Sequence, residues 1–343
     1  MPYVSIIIPC RNEEKFIGRC LDSIINQDYP QENFEILVID GNSEDKTKEI
    51  VKDLSQKYPF IKLLDNPKRF TPFGLNIGIK NSKGEIIIRM DAHATCQRDY
   101  ISKCVNYLEE YKVDNVGGKM ETLPGDNTLT AKAITLSLSS PFGVGNAYFR
   151  IGSKEPREVD TVFGGCYRKE IFKKIGYFNE NLPRGQDMEF NLRLRKSGGK
   201  ILLVPKIKSF YFARPDFKSF WHHSFIDGTK LIYPLKFGVV IFSWRHLAPL
   251  VFVLSLITFG LMAFFSLNFL LLLFFILDLY LLISLYFSAK ISFSEKDFRY
   301  LFFLPIAFAV LHVGYGLGSV YGFLNILGSK GFWENFIKIL RQR

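Results

Sequence analysis

The 343-residue chain has five cysteines (Cys10, Cys20, Cys96, Cys104, Cys166), an odd number with no C-x-x-C pair. That argues against a disulfide framework or a zinc site and suits reduced thiols in a core. The amino terminus lacks a basic n-region, and the apolar run from Val4 to Pro9 is far too short for a secretory h-region, so it reads as a buried strand. No G-x-G-x-x-G follows that strand and no G-x-x-x-x-G-K-[ST] occurs, which removes the two common nucleotide-binding loops.

What the chain does have is a change of solvent. A polar, mixed-charge stretch from Met1 to about Arg245 gives way to nearly unbroken apolar sequence from Leu247 to Phe287. Crossing hydrocarbon as a helix takes about 20 apolar residues. Leu247 to Phe265 and Leu267 to Phe287 meet that length and, with almost no connection near Asn268, form a tight hairpin. Leu301 to Phe323 is a third expected span. Lys236 and Arg245 precede the first span, and Lys290, Lys296 and Arg299 follow the second, which places both ends and the head in the cytoplasm. The tail residues Lys330, Lys338, Arg341 and Arg343 argue against the outside location that three crossings would give them, and the conflict stands at this level. Asp278 and His312 are polar groups at hydrophobic depth, and Gly314, Gly316, Gly318 and Gly322 form a small-residue face suited to close helix packing.

The net charge is +11, and much of the basic excess falls between Arg193 and Arg245. Because this stretch leads into the apolar segments, anionic lipid headgroups or phosphorylated lipids are the expected partners, and nucleic acid is not. Residues 214–236 interleave Phe217, Phe220, Trp221, Phe225, Ile226 and Leu231 with His222, His223 and Lys230, the pattern of an amphipathic helix at a bilayer surface. The expected organisation is a head over 1–212, an interfacial segment over 213–245, apolar helices over 246–325 and a basic tail over 326–343.

Within the head, strand-like runs alternate with helical periods, the signature of an α/β fold with a mostly parallel sheet. Strands are expected at Val4 to Ile8, Phe34 to Ile39, Ile61 to Leu64, Glu85 to Met90 and Val159 to Phe163. Helices are expected at Glu13 to Asn26, Thr47 to Tyr58, Phe73 to Asn81 and Gly185 to Gly198. Ligands of open α/β sheets bind where strands end. Three such ends carry polar clusters: Pro9-Cys10-Arg11-Asn12-Glu13, Asp40-Gly41-Asn42-Ser43 and Asp91-Ala92-His93. Asp40 suits either a nucleotide contact or an Asx-turn, with Ser43 or Asp45 capping the next helix.

The ordered motifs Val4 to Pro9 with Arg11 to Glu14, Ile39 to Ser43 with Asp45 and Thr47, Arg89 to His93, and Gly185 to Glu189 with Arg193 resemble those of family-2 inverting glycosyltransferases. Asn66 to Arg69, Leu75 to Gly78, Asp91 to Ala94 and the cluster of carboxy-terminal spans resemble the succinoglycan-biosynthesis type. The resemblance implies a GT-A fold, with a nucleotide-sugar-binding half and an acceptor-binding half sharing one sheet. It implies nucleotide-sugar contacts from Pro9, Arg11, Glu13, Asp40, Arg69 and Asp91. Asp91 and His93 fall at the family's D-x-D metal positions, so a divalent cation, Mg²⁺ or Mn²⁺, is expected, the imidazole favouring Mn²⁺. Asp187 falls at the general-base position, with Gln186 where the family usually has Glu. Gly41 stands where many relatives have a second acidic residue, so base identity does not carry over. The processive Q-x-x-R-W is missing, and Phe220-Trp221-His222-His223 stands near its place, which favours single-sugar transfer over a processive synthase. A scaffold that kept the fold would be expected to lose Asp91 or Asp187. The expected acceptor is a polyprenyl-linked sugar chain or a polyprenyl phosphate at the inner leaflet of the cell membrane, in a pathway with other assembly enzymes.

Overall fold

The computed structural model describes the backbone of residues 1–341 and side chains through Asn335; Arg343 of the basic tail lies outside the described residues. The chain divides into two compact units, Met1–Glu121 with Tyr148–Tyr211, and Thr122–Ala147 with Phe212 onward. Residues 122–147, counted with the head from sequence, therefore pack with the apolar helices instead.

The first unit is built on β1 (Val4–Cys10), α1 (Ile17–Ile25), β2 (Phe34–Asp40), α2 (Thr47–Lys57), β3 (Ile61–Asp65), α3 (Thr71–Asn81), β4 (Ile86–Arg89), β5 (Ala94–Cys96), α4 (Tyr100–Glu110) and β6 (Asn115–Leu123). After the insertion, which carries α5 (Leu129–Leu138) and α6 (Pro141–Val144), it continues with α7 (Tyr148–Ile151), β7 (Arg157–Glu158), β8 (Cys166–Arg168), α8 (Glu170–Ile175), α9 (Gln186–Lys196) and β9 (Ile201–Phe212). The sheet order is β3-β2-β1-β4-β8-β6-β9-β5, with β7 on β9. β1, β2, β3 and β4 are parallel neighbours, whereas β8 runs antiparallel to β4 and β6. Strands covered on both faces read as continuous apolar runs, as VSIII and FEILVI do. Val4, Ile6 and Ile8 pack with α1 and α4, while Ile7, Leu37 and Ile39 meet Leu75 and Ile79 of α3 with Phe172 and Phe190. All five cysteines are free and buried, as their number suggested.

One expected strand is not formed. Of the region around Val159 to Phe163 only Arg157–Glu158 pairs with β9, and Gly164 and Gly165, at φ +70° and +96°, turn the chain before a longer ladder can form.

In the second unit α10 (Phe217–Ile232) is followed by α11 (Trp244–Met262), α12 (Leu267–Glu295), α13 (Tyr300–Leu327) and α14 (Lys330–Arg341). By length and composition α11, α12 and α13 are each long and apolar enough to cross a membrane. The α10 stretch, expected as an amphipathic helix, buries Phe220, Ser224, Gly228, Leu231 and Ile232 and packs along α13.

The sheet holds a buried anion. Glu35, 1 % exposed, accepts from Ser5 Oγ (2.8 Å), the Lys83 amide (2.6 Å) and Lys62 Nζ (2.8 Å). Burial opposes its charge, but Lys62, the Lys83 amide and Ser5 outweigh it and leave its pKa below the ordinary value. Glu35→Ala is expected to cost about 2–4 kcal/mol, since it orphans Ser5 and the Lys83 amide. The depressed pKa means this contribution is present above the unfolded-state pKa and fades as pH falls through the folded one. The wild-type advantage in thermal melts of the full chain in detergent should therefore be large at neutral pH and shrink in acid.

Candidate active site

The parallel strands end in register: Cys10 pairs with Asp40, and Asp40 with Asp65. The loops that leave β1 and β2 are laced by reciprocal bonds. The Asn12 amide donates to Ser43 Oγ (2.9 Å) and the Glu44 amide to Asn12 Oδ1 (2.9 Å). The Glu13 amide donates to Thr47 Oγ1 (2.7 Å), and the Glu14 amide to Asp45 Oδ2 (3.1 Å). Asn12 and Asn42 adopt φ +55° and +62°, a region that asparagine tolerates better than most residues. The rim is thus set before any ligand arrives.

Asp40 is tied into this rim. It is fully buried, and its Oδ2 accepts from the Ser43 amide at 3.0 Å, with Lys48 Nζ at 3.5 Å. The bond to the Ser43 amide is that of an Asx-turn. At the neighbouring Gly41 a Cβ would lie 2.9 Å from Arg69 O and 3.2 Å from Cys10 O, so three strand-end loops converge where only glycine fits. Pro9 lies within β1, Arg69 is exposed at φ +68°, and exposed Arg11 sits 3.7 Å from Glu44.

Acidic side chains from distant parts of the chain meet on one guanidinium. Arg89, the last residue of β4, donates from Nη2 to Asp91 Oδ1 (3.0 Å) and from Nη1 to Asp187 Oδ2 (3.1 Å). Arg89 is nearly buried, and the two carboxylates are 20 % and 31 % exposed, open enough for solvent or substrate to reach. Burial works against the charge on Asp91, but Arg89, with His93, outweighs it and keeps the carboxyl below its ordinary pKa. Burial likewise works against the Arg89 cation, and Asp91 and Asp187 more than offset it. Asp187 sits in the first turn of α9, whose positive end favours a carboxylate, and its Oδ1 accepts from the Met188 amide at 2.9 Å. Arg193 serves α9 structurally, pairing with Glu189 (2.5 Å) and donating to the Ile175 and Tyr177 carbonyls.

The second pair is His93 with Glu13, Nδ1 to Oε1 at 3.1 Å, and the ring stands edge-on to Tyr211 of β9 at 5.6 Å. A carboxylate on one imidazole nitrogen fixes the tautomer that presents the other as a lone-pair donor, the usual arrangement behind a metal-ligating histidine. Among the described residues no group of three His, Cys, Asp or Glu side chains clusters into a cage. A hard cation that keeps waters and takes substrate phosphate oxygens needs only one or two protein ligands, so Asp91 and His93 fit that group. Arg89 Nε and Gln186 Oε1 are buried without a protein partner, as is expected where water or a substrate group enters.

Arg89 is the residue to which sequence reasoning gave no role. Its signal was a charge closing the apolar run IIIR, because a buried guanidinium demands carboxylates.

Residues 5–176 match the glycosyl transferase family 2 pattern, half of the chain. The chain belongs to glycosyl transferase family 2. It is 35 % identical over 273 residues, 77 % of this chain and 84 % of the other, to the dolichyl N-acetyl-alpha-D-glucosaminyl phosphate 3-beta-D-2,3-diacetamido-2,3-dideoxy-beta-D-glucuronosyltransferase of Methanococcus voltae. The succinoglycan biosynthesis protein ExoA of Rhizobium meliloti is 28 % identical, over 71 % of this chain and 80 % of that one. The mannosyltransferase PcManGT from Pyrobaculum calidifontis, in complex with GDP-Man and Mn²⁺, superposes with a TM-score of 0.62 over 94 % of this chain and 88 % of its own, at 18 % identity. The fold of this family 2 glycosyltransferase is therefore GT-A.

Arg89→Met removes the cation that two carboxylates share. Sugar transfer by the full-length protein in membranes is expected to fall roughly 100-fold, the scale of a base displaced by about 1 Å. Arg89→Lys should recover only part of that, since an ammonium lacks the planar fork. Equal activity of Arg89→Met and wild type would refute the assignment.

Proposed function

We propose that this protein is a membrane-attached inverting glycosyltransferase that moves one sugar from a nucleotide sugar to a lipid-linked acceptor, a polyprenyl phosphate or a sugar carried on a polyprenyl phosphate or diphosphate. The observation that carries this is the meeting of Asp91 and Asp187 on Arg89 at the carboxyl ends of the parallel strands. The Methanococcus voltae relative, whose name specifies a dolichyl phosphate-linked sugar acceptor, supports the acceptor class.

Asp187 accepts the proton of the acceptor hydroxyl, which attacks the anomeric carbon on the face away from the departing nucleoside diphosphate and inverts its configuration. Asp187 Oδ2 is held by Arg89, the guanidinium it shares with Asp91, which orients the carboxylate. Asp91 and His93 would hold a divalent cation, whose chemistry there is neutralisation of diphosphate charge. Glu13 orients His93. Asp40, Ser43 and Asn12 keep the loops open, with Arg11 and Arg69 at the rim on the nucleotide side. The missing Q-x-x-R-W favours one transfer per acceptor.

Mass spectrometry of lipid-linked products from membranes tests the base. Asp187→Asn is expected to lower transfer by 10²–10⁴-fold while nucleotide-sugar binding stays within a few-fold; near-normal turnover would remove Asp187 from the mechanism. EDTA should abolish transfer, and Mn²⁺ should restore it at lower concentration than Mg²⁺. His93→Ala should narrow that Mn²⁺ preference, and undiminished transfer in EDTA would exclude the cation.

A further inference from the structure

We propose that α13 is an internal helix and not a membrane span, so that the chain enters the bilayer only through the α11–α12 hairpin and its carboxy-terminal helix emerges on the side from which α11 set out. This rests on the membrane attachment proposed above.

The deciding contact joins the chain just before α11 to the chain just after α13. Asn335 Nδ2 donates to the Lys236 carbonyl at 3.1 Å, and a Cβ on Gly238 would lie 3.2 Å from Asn335 Cβ. Phe332 is buried with Ile232 and Ile326, and Leu235 and Leu250 pack against them. Three crossings would part these two segments by a hydrocarbon core about 30 Å thick. They touch, so the number of crossings between them is even.

The surroundings of α13 agree. Of the most apolar stretch of each helix, 39 % is buried in α13 but 6 % in α11 and in α12. From Ala307 to Val320 no residue of α13 is exposed. Its first half is covered by the insertion: Ala133 of α5 clusters with Tyr300, Leu304 and Phe308, and His312 Nε2 lies 3.0 Å from the Phe142 carbonyl. Its second half is covered by α10, which runs parallel to it. Gly314 meets Trp221 and Ser224, Gly318 meets Phe225, and Gly322 meets Thr229. The backbones nearly touch, since a Cβ on Gly318 would fall 2.0 Å from Phe225 O. Thr229 Oγ1 and Ser319 Oγ donate across the seam to Gly318 O (3.0 Å) and Gly228 O (3.3 Å).

A helix locked in parallel to α13 shares its depth. α10 carries Lys218, His222, Lys230 and the pair His223–Asp227 (3.1 Å). Each Lys or Asp at the middle of a bilayer costs about 2.5–3.5 kcal/mol, so Lys218, Asp227 and Lys230 oppose placing α10, and α13 with it, in the hydrocarbon. The hairpin packs on α13 through its base, with Pro249 and Val253 against Gly316 and Tyr280 Oη 3.0 Å from His312 Nδ1, and is bare beyond it. Leu254, Ile257, Leu261, Phe264, Phe265 and Leu267 are all exposed around its tip, and acyl chains are the partner of that chemistry. With two crossings, Lys330, Lys338 and Arg341 lie on the side of Lys236 and Arg245, and the charge conflict raised by the sequence disappears.

Sidedness labelling tests this on the full chain, where the five buried cysteines give a silent background. Lys57→Cys reports the head, and Lys330→Cys and Glu334→Cys report the tail, all at exposed positions. A membrane-impermeant maleimide is applied to intact cells and to inverted vesicles. The expected result is that head and tail reporters react in the same preparation and stay silent in the other. Reaction of the tail reporters in the opposite preparation overturns the two-crossing topology and leaves the membrane attachment standing. Release of the unaltered protein by alkaline carbonate overturns the attachment itself.

Discussion

One guanidinium at the end of β4 ties the candidate site together. Arg89 ties Asp91, two residues away, to Asp187, ninety-eight residues away, with both bonds near 3 Å. Loss of the guanidinium would leave two neighbouring carboxylates with no cation between them in a medium that solvates them poorly. The strand end and the first turn of α9 are thereby held to one geometry, and the Asp91 and Asp187 carboxylates cannot drift independently. Gly164 packs on the backbone of the same strand end, where a Cβ would lie 2.8 Å from the Arg89 carbonyl.

The fold was legible because its driving forces are periodic. β1 and β2 announce themselves by runs with no polar break wide enough to face water, and α1 by apolar residues at Ile17, Cys20, Leu21, Ile24 and Ile25, all buried. The candidate site was sought by the rule that parallel strands deliver their loops to one edge. Asp91, His93 and Asp187 stood out through the resemblance of their motifs to those of family 2, since a polar group after a strand or in the first turn of a helix has structural uses as well.

What was hidden depends on contacts between distant residues. Whether Asp40 faces a ligand or its own loop turns on a 3.0 Å bond to the Ser43 amide, and both outcomes share one sequence. Arg89 ends a strand either way, and only the position of α9 shows that its second partner is Asp187. The insertion 122–147 reads as more head, since Leu129–Leu138 is a short apolar helix whose covering surface lies on α13, far along the chain. Hydropathy marks α13 as a span because a helix wrapped by protein and one wrapped by lipid are equally apolar.

Glycine is what separates those two cases. A lipid-facing helix gains nothing from a row of glycines, which lowers helix propensity by about 1 kcal/mol at each position relative to alanine. Gly314, Gly318 and Gly322 fall on one stripe four residues apart, and each meets the α10 backbone or side chains. Such a stripe allows a close approach in which two hydroxyls, Thr229 and Ser319, reach the opposite carbonyls. Close packing of this kind stabilises helix pairs inside and outside lipid alike, so the stripe alone leaves the medium open. The partner decides it, because α10 presents His222, Lys230 and the His223–Asp227 pair along the same length, groups whose hydration is worth more than any apolar contact α13 would make with acyl chains. The apolar sequence of α13 is thus largely used inside the protein, where it joins the insertion to α10 and to the base of the hairpin, with Gly316 against Pro249 and Val253 and His312 on Tyr280.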